Sequence, residues 1–168
     1  MKQIFENKIV AALLTVLRVW LGVQWLKAGF GKVSTGFDAS GFIQGAIAKS
    51  QGENAVVQGW YASFLETVAL PNSGLFSFLV AWGELLIGLG LILGALTIPA
   101  LVAGGFMNLN FLWAGTISVN PTLLFVTVLL LLMAKSAAYF GIDRLLIPTI
   151  KKDVENRRLD PAIGTSAG

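Results

Sequence analysis

The sequence predicts an all-α integral membrane protein: a four-transmembrane-helix bundle with one or two short amphipathic helices in the outer connection between spans 1 and 2. Three observations carry that expectation. Of 168 residues, 55% are hydrophobic and 12% charged, whereas soluble domains carry about a quarter charged residues. The mean hydropathy is +0.76. Four apolar stretches, about 9–30, 76–96, 100–117 and 121–140, have lengths suited to crossing a hydrocarbon core as helices. One membrane domain therefore covers 1–150, and 151–168 reads as a flexible cytoplasmic tail.

The first span holds Arg18 in its middle. It is too long for a signal-peptide core and has no small-residue cleavage site, so its retention is expected. The connection 31–74 differs in composition from the spans. Asp38 is placed to cap a helix over 39–50. Residues 55–69 put Val56, Val57, Trp60, Tyr61, Phe64, Leu65 and Val68 on one face, a pattern for a helix lying on the membrane surface or over the bundle mouth. Pro71, Asn72, Ser73 and Gly74 end it. The second span carries a single ionisable residue, Glu84. Pro99 marks the break before the third span, and Asn120-Pro121 starts the fourth.

Basic residues set the expected orientation. They collect in the tail (Arg144, Lys151, Lys152, Arg157, Arg158) and in the lead (Lys2, Lys8), so both termini are expected to be cytoplasmic. Other functions are bounded by composition. The net charge of +3 is small and dispersed, which argues against a nucleic-acid surface. Without cysteine or histidine, no haem, metal or Fe–S centre of the usual kinds is expected. A redox role would need a dissociable organic cofactor or a partner protein.

The polar residues within the spans are the candidate site. A charged, unpaired carboxylate at membrane depth is costly, so Glu84 should be neutral, paired or facing a polar cavity. Counting residues from the span ends puts Arg18 and Asn108 near mid-membrane and Glu84 and Asn110 about a turn nearer the outer face. That counting suggests a buried Arg18–Glu84 pair with one of Asn108 and Asn110 hydrogen-bonded to it. The alternative is a polar clasp that fixes helix packing and binds nothing. Lys27 and Lys135 suit snorkelling to headgroups. Lys32 shares a face with Arg18, Gly22, Trp25 and Gly29, a basic path from the outer surface if the helix extends that far. Trp25, Trp82 and Trp113 read either as an aromatic belt or as walls for a flat quinone ring. The glycines of the spans suit close helix packing, and Gly90-x-x-x-Gly94 is read as packing within the bundle.

Several short motifs then stand together. They are Arg18-Val19-Trp20-Leu21-Gly22, Ala28-Gly29-Phe30-Gly31-Lys32, Gly83-Glu84 with Gly88 and Gly94, Asn108-Leu109-Asn110-Phe111 with Ala114-Gly115, and Asn120-Pro121. In their order and charged positions they resemble the DoxX family of prokaryotic membrane proteins, including the DoxD-type subunit of thiosulfate:quinone oxidoreductase. The resemblance covers roughly 17–148. It implies a four-helix protein of the prokaryotic plasma membrane. For the DoxD type it implies thiosulfate oxidation with electrons passed to quinone, usually beside a second oxidoreductase subunit. For other members it implies accessory roles in oxidative-stress or thiol-redox complexes. Arg18, Glu84 and Lys32 match the family's charged positions. The absence of cysteine excludes a covalent thiosulfonate on this chain.

Three functions follow as expectations. In a quinone-linked redox subunit, Glu84 exchanges protons with quinone, Arg18 holds the carboxylate or an anionic intermediate, and Lys32 with Arg18 attracts an anionic sulfur substrate. Asn108, Asn110, Trp25, Trp82 and Trp113 complete the binding site in that reading. The second is a non-catalytic membrane anchor or accessory component pinned by the Arg–Glu pair. A transport protein for small solutes or lipids ranks last, because the spans lack the matched interruptions that transporters show.

Overall fold

The computed structural model describes residues 8–144, and within them every regular element is helical. Helix α1 spans Lys8–Thr35 and α2 spans Ala39–Ala48. Helix α3, Gly59–Phe64, runs on into a π-helical turn, Leu65–Ala69. Then come α4 (Ser73–Leu93), α5 (Thr97–Trp113), α6 (Asn120–Leu132) and the single turn α7 (Ala134–Ala137). Two of these, α1 with 28 residues and α4 with 21, are long and apolar enough to cross a membrane. The tail 151–168 and the lead residue Lys2 lie outside the described residues.

Helices α1, α4, α5 and α6 pack as a bundle, with the most extensive interface between α1 and α4. That interface is built on glycine. A Cβ on Gly29 would lie 2.8 Å from Leu85 Cα, and one on Gly88 would lie 2.7 Å from Leu26 Cα, so the two backbones touch without side chains between them. Gly22 meets Gly88 and Ile92 in the same way. These contacts fix an antiparallel register in which Gly29 faces Glu84–Leu85 and Arg18 comes level with Gly94. Leu21, Leu91, Leu101 and Leu130 are fully buried at the centre of the main core. Large apolar side chains including Leu13, Val16, Leu86, Phe106 and Phe125 cover the outside.

The span boundaries shift in the structure. The first helix outruns the predicted 9–30 at its C-terminal end, reaching Thr35. The second occupies Ser73–Leu93 rather than 76–96, because Gly94 adopts a left-handed φ of 64° and ends it. The third occupies Thr97–Trp113 rather than 100–117. The fourth, expected over 121–140, is a helix only to Leu132. Met133 breaks it, and the chain then turns back so that the amides of Ile142 and Asp143 donate to the carbonyls of Leu93 and Gly94. Pro121 sits in the first turn of α6, where its missing N–H costs nothing.

The connection between α1 and α4 folds into a small cap with its own core of Ala39, Ile43, Ala46, Val57, Tyr61, Ala62, Leu65, Ala69 and Ala114. The expected single apolar face on 55–69 is divided: Val57, Tyr61 and Leu65 are buried in the cap, while Val56, Trp60 and Val68 are exposed. The buried positions 57, 61, 65 and 69 recur every four residues, a stripe narrower than the predicted face, so the adjacent Val56, Trp60 and Val68 fall outside the cap core. The Ala39 amide donates to Ser77 Oγ at 2.8 Å, tying the cap to α4.

Asp38 caps α2 as the sequence predicts, accepting from the Ser40 amide at 2.9 Å and the Ser40 hydroxyl at 2.7 Å. Those bonds hold its carboxyl below the ordinary aspartate range. A depressed folded-state pKa contributes stability that is complete above the unfolded value and is lost as pH falls through the folded one. Asp38→Ala is therefore expected to lower the thermal midpoint at neutral pH, with the difference from wild type closing in acid. A midpoint difference that persists unchanged in acid would rule out the cap as its cause.

Candidate functional site

Glu84 is 2% exposed on α4, and its Oε2 accepts from Lys32 Nζ at 2.6 Å, the ion pair among the described residues. Lys32 lies seven residues beyond Trp25 on the same face of α1, and the helix continues far enough to aim it inward. Its side chain is 26% exposed, so the pair runs from a partly exposed lysine to a buried carboxylate. Phe37 covers the ammonium, with the ring centroid 5.5 Å from Nζ.

Helix α5 adds an unpaired polar group at this level. Ile87 and Trp25 both pack on Gly104: a Cβ there would lie 3.4 Å from Ile87 Cγ2 and 3.4 Å from Trp25 Nε1. Helices α4 and α5 are antiparallel, so one turn from Ile87 back to Glu84 corresponds to one turn from Gly104 on to Asn108. Asn108 is fully buried, and neither its amide nitrogen nor its oxygen has a hydrogen-bond partner; the buried Trp25 indole N–H also lacks one. Buried polar groups are nearly always satisfied, and unsatisfied ones cost about 1–3 kcal/mol each. A buried charge pair, with an orphaned amide placed at its level and an orphaned indole about a turn away, is therefore the candidate binding chemistry at this end of the bundle.

The predicted Arg18–Glu84 pair does not form. Arg18 is 1% exposed, but it donates from Nη1 to the Ala137 carbonyl and from Nη2 to the Phe140 carbonyl, both at 2.8 Å. It lies about ten residues, roughly 15 Å, along the helix from the Glu84 level. Residue counting failed here because helix ends are not flush: α1 extends past the end of α4, where the returning chain packs against it. The basic path from Lys32 to Arg18 is likewise absent, since Leu21 and Leu91, both fully buried, lie between the two ends.

Asn110 is also separate from Glu84. Its side-chain oxygen accepts from the Tyr61 hydroxyl at 3.1 Å, and its nitrogen donates to the Phe106 carbonyl at 2.8 Å. The question of which asparagine faces the bundle interior is thus decided for Asn108. Burial pushes the Tyr61 phenol up to about 12, which keeps it a neutral donor. The tryptophans separate as well. Trp25 is in the core, Trp82 lies exposed beside Phe78, and Trp113 packs on Trp60 and Tyr61 at the cap. The three do not share one wall, since Trp25 is buried in the core away from the exposed Trp82 and Trp113. Lys27 and Lys135 are exposed.

Asp143 was not singled out by the sequence. Its two carboxylate oxygens accept from the Leu96 and Thr97 amides at 2.7 and 2.8 Å, capping α5 from 46 residues away. A signal existed: the residue before Thr97 is a leucine, held at a φ of 52°, so this helix has no local side chain to satisfy its first amides.

A model of the DoxX family matches residues 13–116, which is more than half of the chain and includes Arg18, Lys32, Glu84 and Asn108. The chain belongs to the DoxX family. No curated protein and no solved structure matches it. In this DoxX protein the matched region contains the whole Lys32–Glu84–Asn108–Trp25 cluster, whereas the Arg18 partners Ala137, Phe140 and Asp143 lie beyond it.

Proposed function

We propose that this DoxX protein is a quinone-linked redox subunit of the prokaryotic plasma membrane, with four membrane crossings, cytoplasmic termini and the cap on the outer face. The observation that carries the reading is the Lys32–Glu84 pair with the orphaned Asn108 amide and Trp25 indole within about a turn of it by helix register. The donor set fits a quinone headgroup. Its carbonyls accept hydrogen bonds, and Asn108 Nδ2 and Trp25 Nε1 are buried donors with no other partner.

A bound quinone would supply two-electron, two-proton chemistry. The electrons would come from an external reductant, with thiosulfate and related sulfur compounds the first to screen, through a second oxidoreductase subunit. Within this chain, Asn108 and Trp25 orient the ring, Glu84 Oε2 holds a proton, and Lys32 balances the carboxylate when it is charged. Arg18 has no place in this site.

Glu84→Gln is expected to weaken quinone binding roughly tenfold to a hundredfold, the loss of a hydrogen bond to a charged group. Titrating a quinone analogue against the quenching of tryptophan fluorescence measures it, beside extraction of bound quinone from the purified protein. Unchanged affinity in a folded Glu84→Gln variant would sink the redox reading.

One observation favours a second function, that of a non-catalytic anchor or accessory component. The ion pair adjoins the tightest backbone contact in the bundle, where Gly29 meets Glu84–Leu85. A pair that only pins α1 to α4 would show a lowered thermal midpoint in Glu84→Gln and no quinone binding in either protein.

A further inference from the structure

Glu84 has an unusually simple charge environment. It is the ionisable residue of α4, and α5 and α6 carry none. From α1, Lys32 touches it, Lys27 points outward, and Arg18 sits at the far end with Asp143. From the cap, Tyr61 is hydrogen-bonded to Asn110 and Lys49 Nζ donates to the Gly115 carbonyl, while Asp38 is bonded to Ser40 and Glu66 is exposed. Among the described residues, Lys32 is thus the charged group in contact with Glu84, and its side chain is partly exposed.

The opposite direction is closed. Four fully buried leucines, at 21, 91, 101 and 130, occupy the core. Beyond Leu91, the α4 backbone at Gly94 touches Gly141, where a Cβ would lie 2.8 Å from the Gly94 carbonyl oxygen. Arg18 is clamped across this contact by two carbonyls. A packed apolar layer backed by a fixed cation is a barrier to proton entry.

We propose that Lys32 and Glu84 form a one-sided proton port: Glu84 exchanges its proton with the solvent at the Lys32 end of the bundle, through the Lys32 amine, and not with the Arg18 end. In the inward step an Nζ–H bond breaks and an Oε2–H bond forms, which leaves both side chains neutral. The free amine then takes a proton from water at the mouth. The net transfer is one proton from solvent to Glu84, no electron moves, and the reverse sequence returns it. The separation of 2.6 Å permits direct transfer without an intervening group. The port needs no quinone, so a failed quinone titration leaves it standing.

The test uses the full chain in vesicles of one orientation and infrared spectroscopy. The protonated-carboxyl band of Glu84 is assigned by its loss in Glu84→Gln, and its hydrogen–deuterium exchange is timed. Lys32→Met is expected to slow that exchange by roughly tenfold or more. Lys32→Arg keeps the charge and the ion pair, yet guanidinium does not deprotonate in proteins, so it is expected to slow exchange equally. A purely structural pair would be rescued by arginine. A pH change on the Lys32 side should shift the band directly, and one on the other side only as the compartments equilibrate. Exchange as fast as wild type in a folded Lys32→Arg, a band absent from wild type at every pH where the fold persists, or equal response from both sides would each overturn the port.

Discussion

Gly29→Ala is expected to lower the stability of the bundle by about 3 kcal/mol, the upper end of the usual cost of overpacking. The added methyl would meet backbone, Leu85 Cα at 2.8 Å and the Glu84 carbonyl carbon at 2.9 Å, and backbone cannot rotate aside as a side chain can. Helices α1 and α4 must separate, which also lengthens the Lys32–Glu84 pair. Against a total of about 5–15 kcal/mol for a typical domain, such a loss should show as a large drop in thermal midpoint and yield. Gly31→Ala is the control. Nothing lies within 4 Å of that position, so alanine's better helix propensity should leave the midpoint unchanged or slightly raised. Equal midpoints for Gly29→Ala and wild type would show that the α1–α4 register is wrong.

Arg18→Leu is expected to cost about 3–5 kcal/mol, because it breaks a buried charged network and leaves other members uncompensated. The Ala137 and Phe140 carbonyls lose their donor, and the buried Asp143 carboxylate loses the nearby positive charge. Asp143 then holds α5 through the Leu96 and Thr97 amides without that support. Because the two residues share one network, the cost of Arg18→Leu combined with Asp143→Asn should fall short of the sum of the singles. Denaturation of all three variants measures it, and strict additivity would show that the residues act independently. Quinone binding gives a second readout. With Arg18 roughly 15 Å along the helix from Glu84, a folded Arg18→Leu protein should bind as wild type does. Selective loss of binding would instead place Arg18 in the site.

Local chemistry made several elements legible. Asp38 before a small apolar segment is a cap because its carboxylate reaches the next amides, and no distant residue is needed for that. Pro121 after Asn120 opens α6 for an equally local reason. The glycines of α1 and α4 were readable as contact points, and Gly94 does serve packing inside the bundle, against Arg18 and Gly141. The fourth apolar stretch was less legible. Its composition continues to Phe140, but the helix breaks at Met133, a single turn follows over Ala134–Ala137, and the Ile142 and Asp143 amides then bond to the Leu93 and Gly94 carbonyls, contacts with a distant helix end that no local pattern announces.

Sequence by itself determined that this chain is helical and apolar, that Glu84 and Arg18 would each be buried at a cost, and that each would therefore need a partner. It also determined the face that carries Arg18, Gly22, Trp25, Gly29 and Lys32, since that follows from helical period alone. Only the tertiary structure decided the partners: Lys32 for Glu84, the carbonyls of Ala137 and Phe140 for Arg18, and the backbone amides of α5 for Asp143. The reason is register. One turn of slip between two helices moves a side chain by about 5.4 Å, enough to exchange one partner for another, and the register here is set by where Gly29, Gly88 and Gly22 allow two backbones to meet.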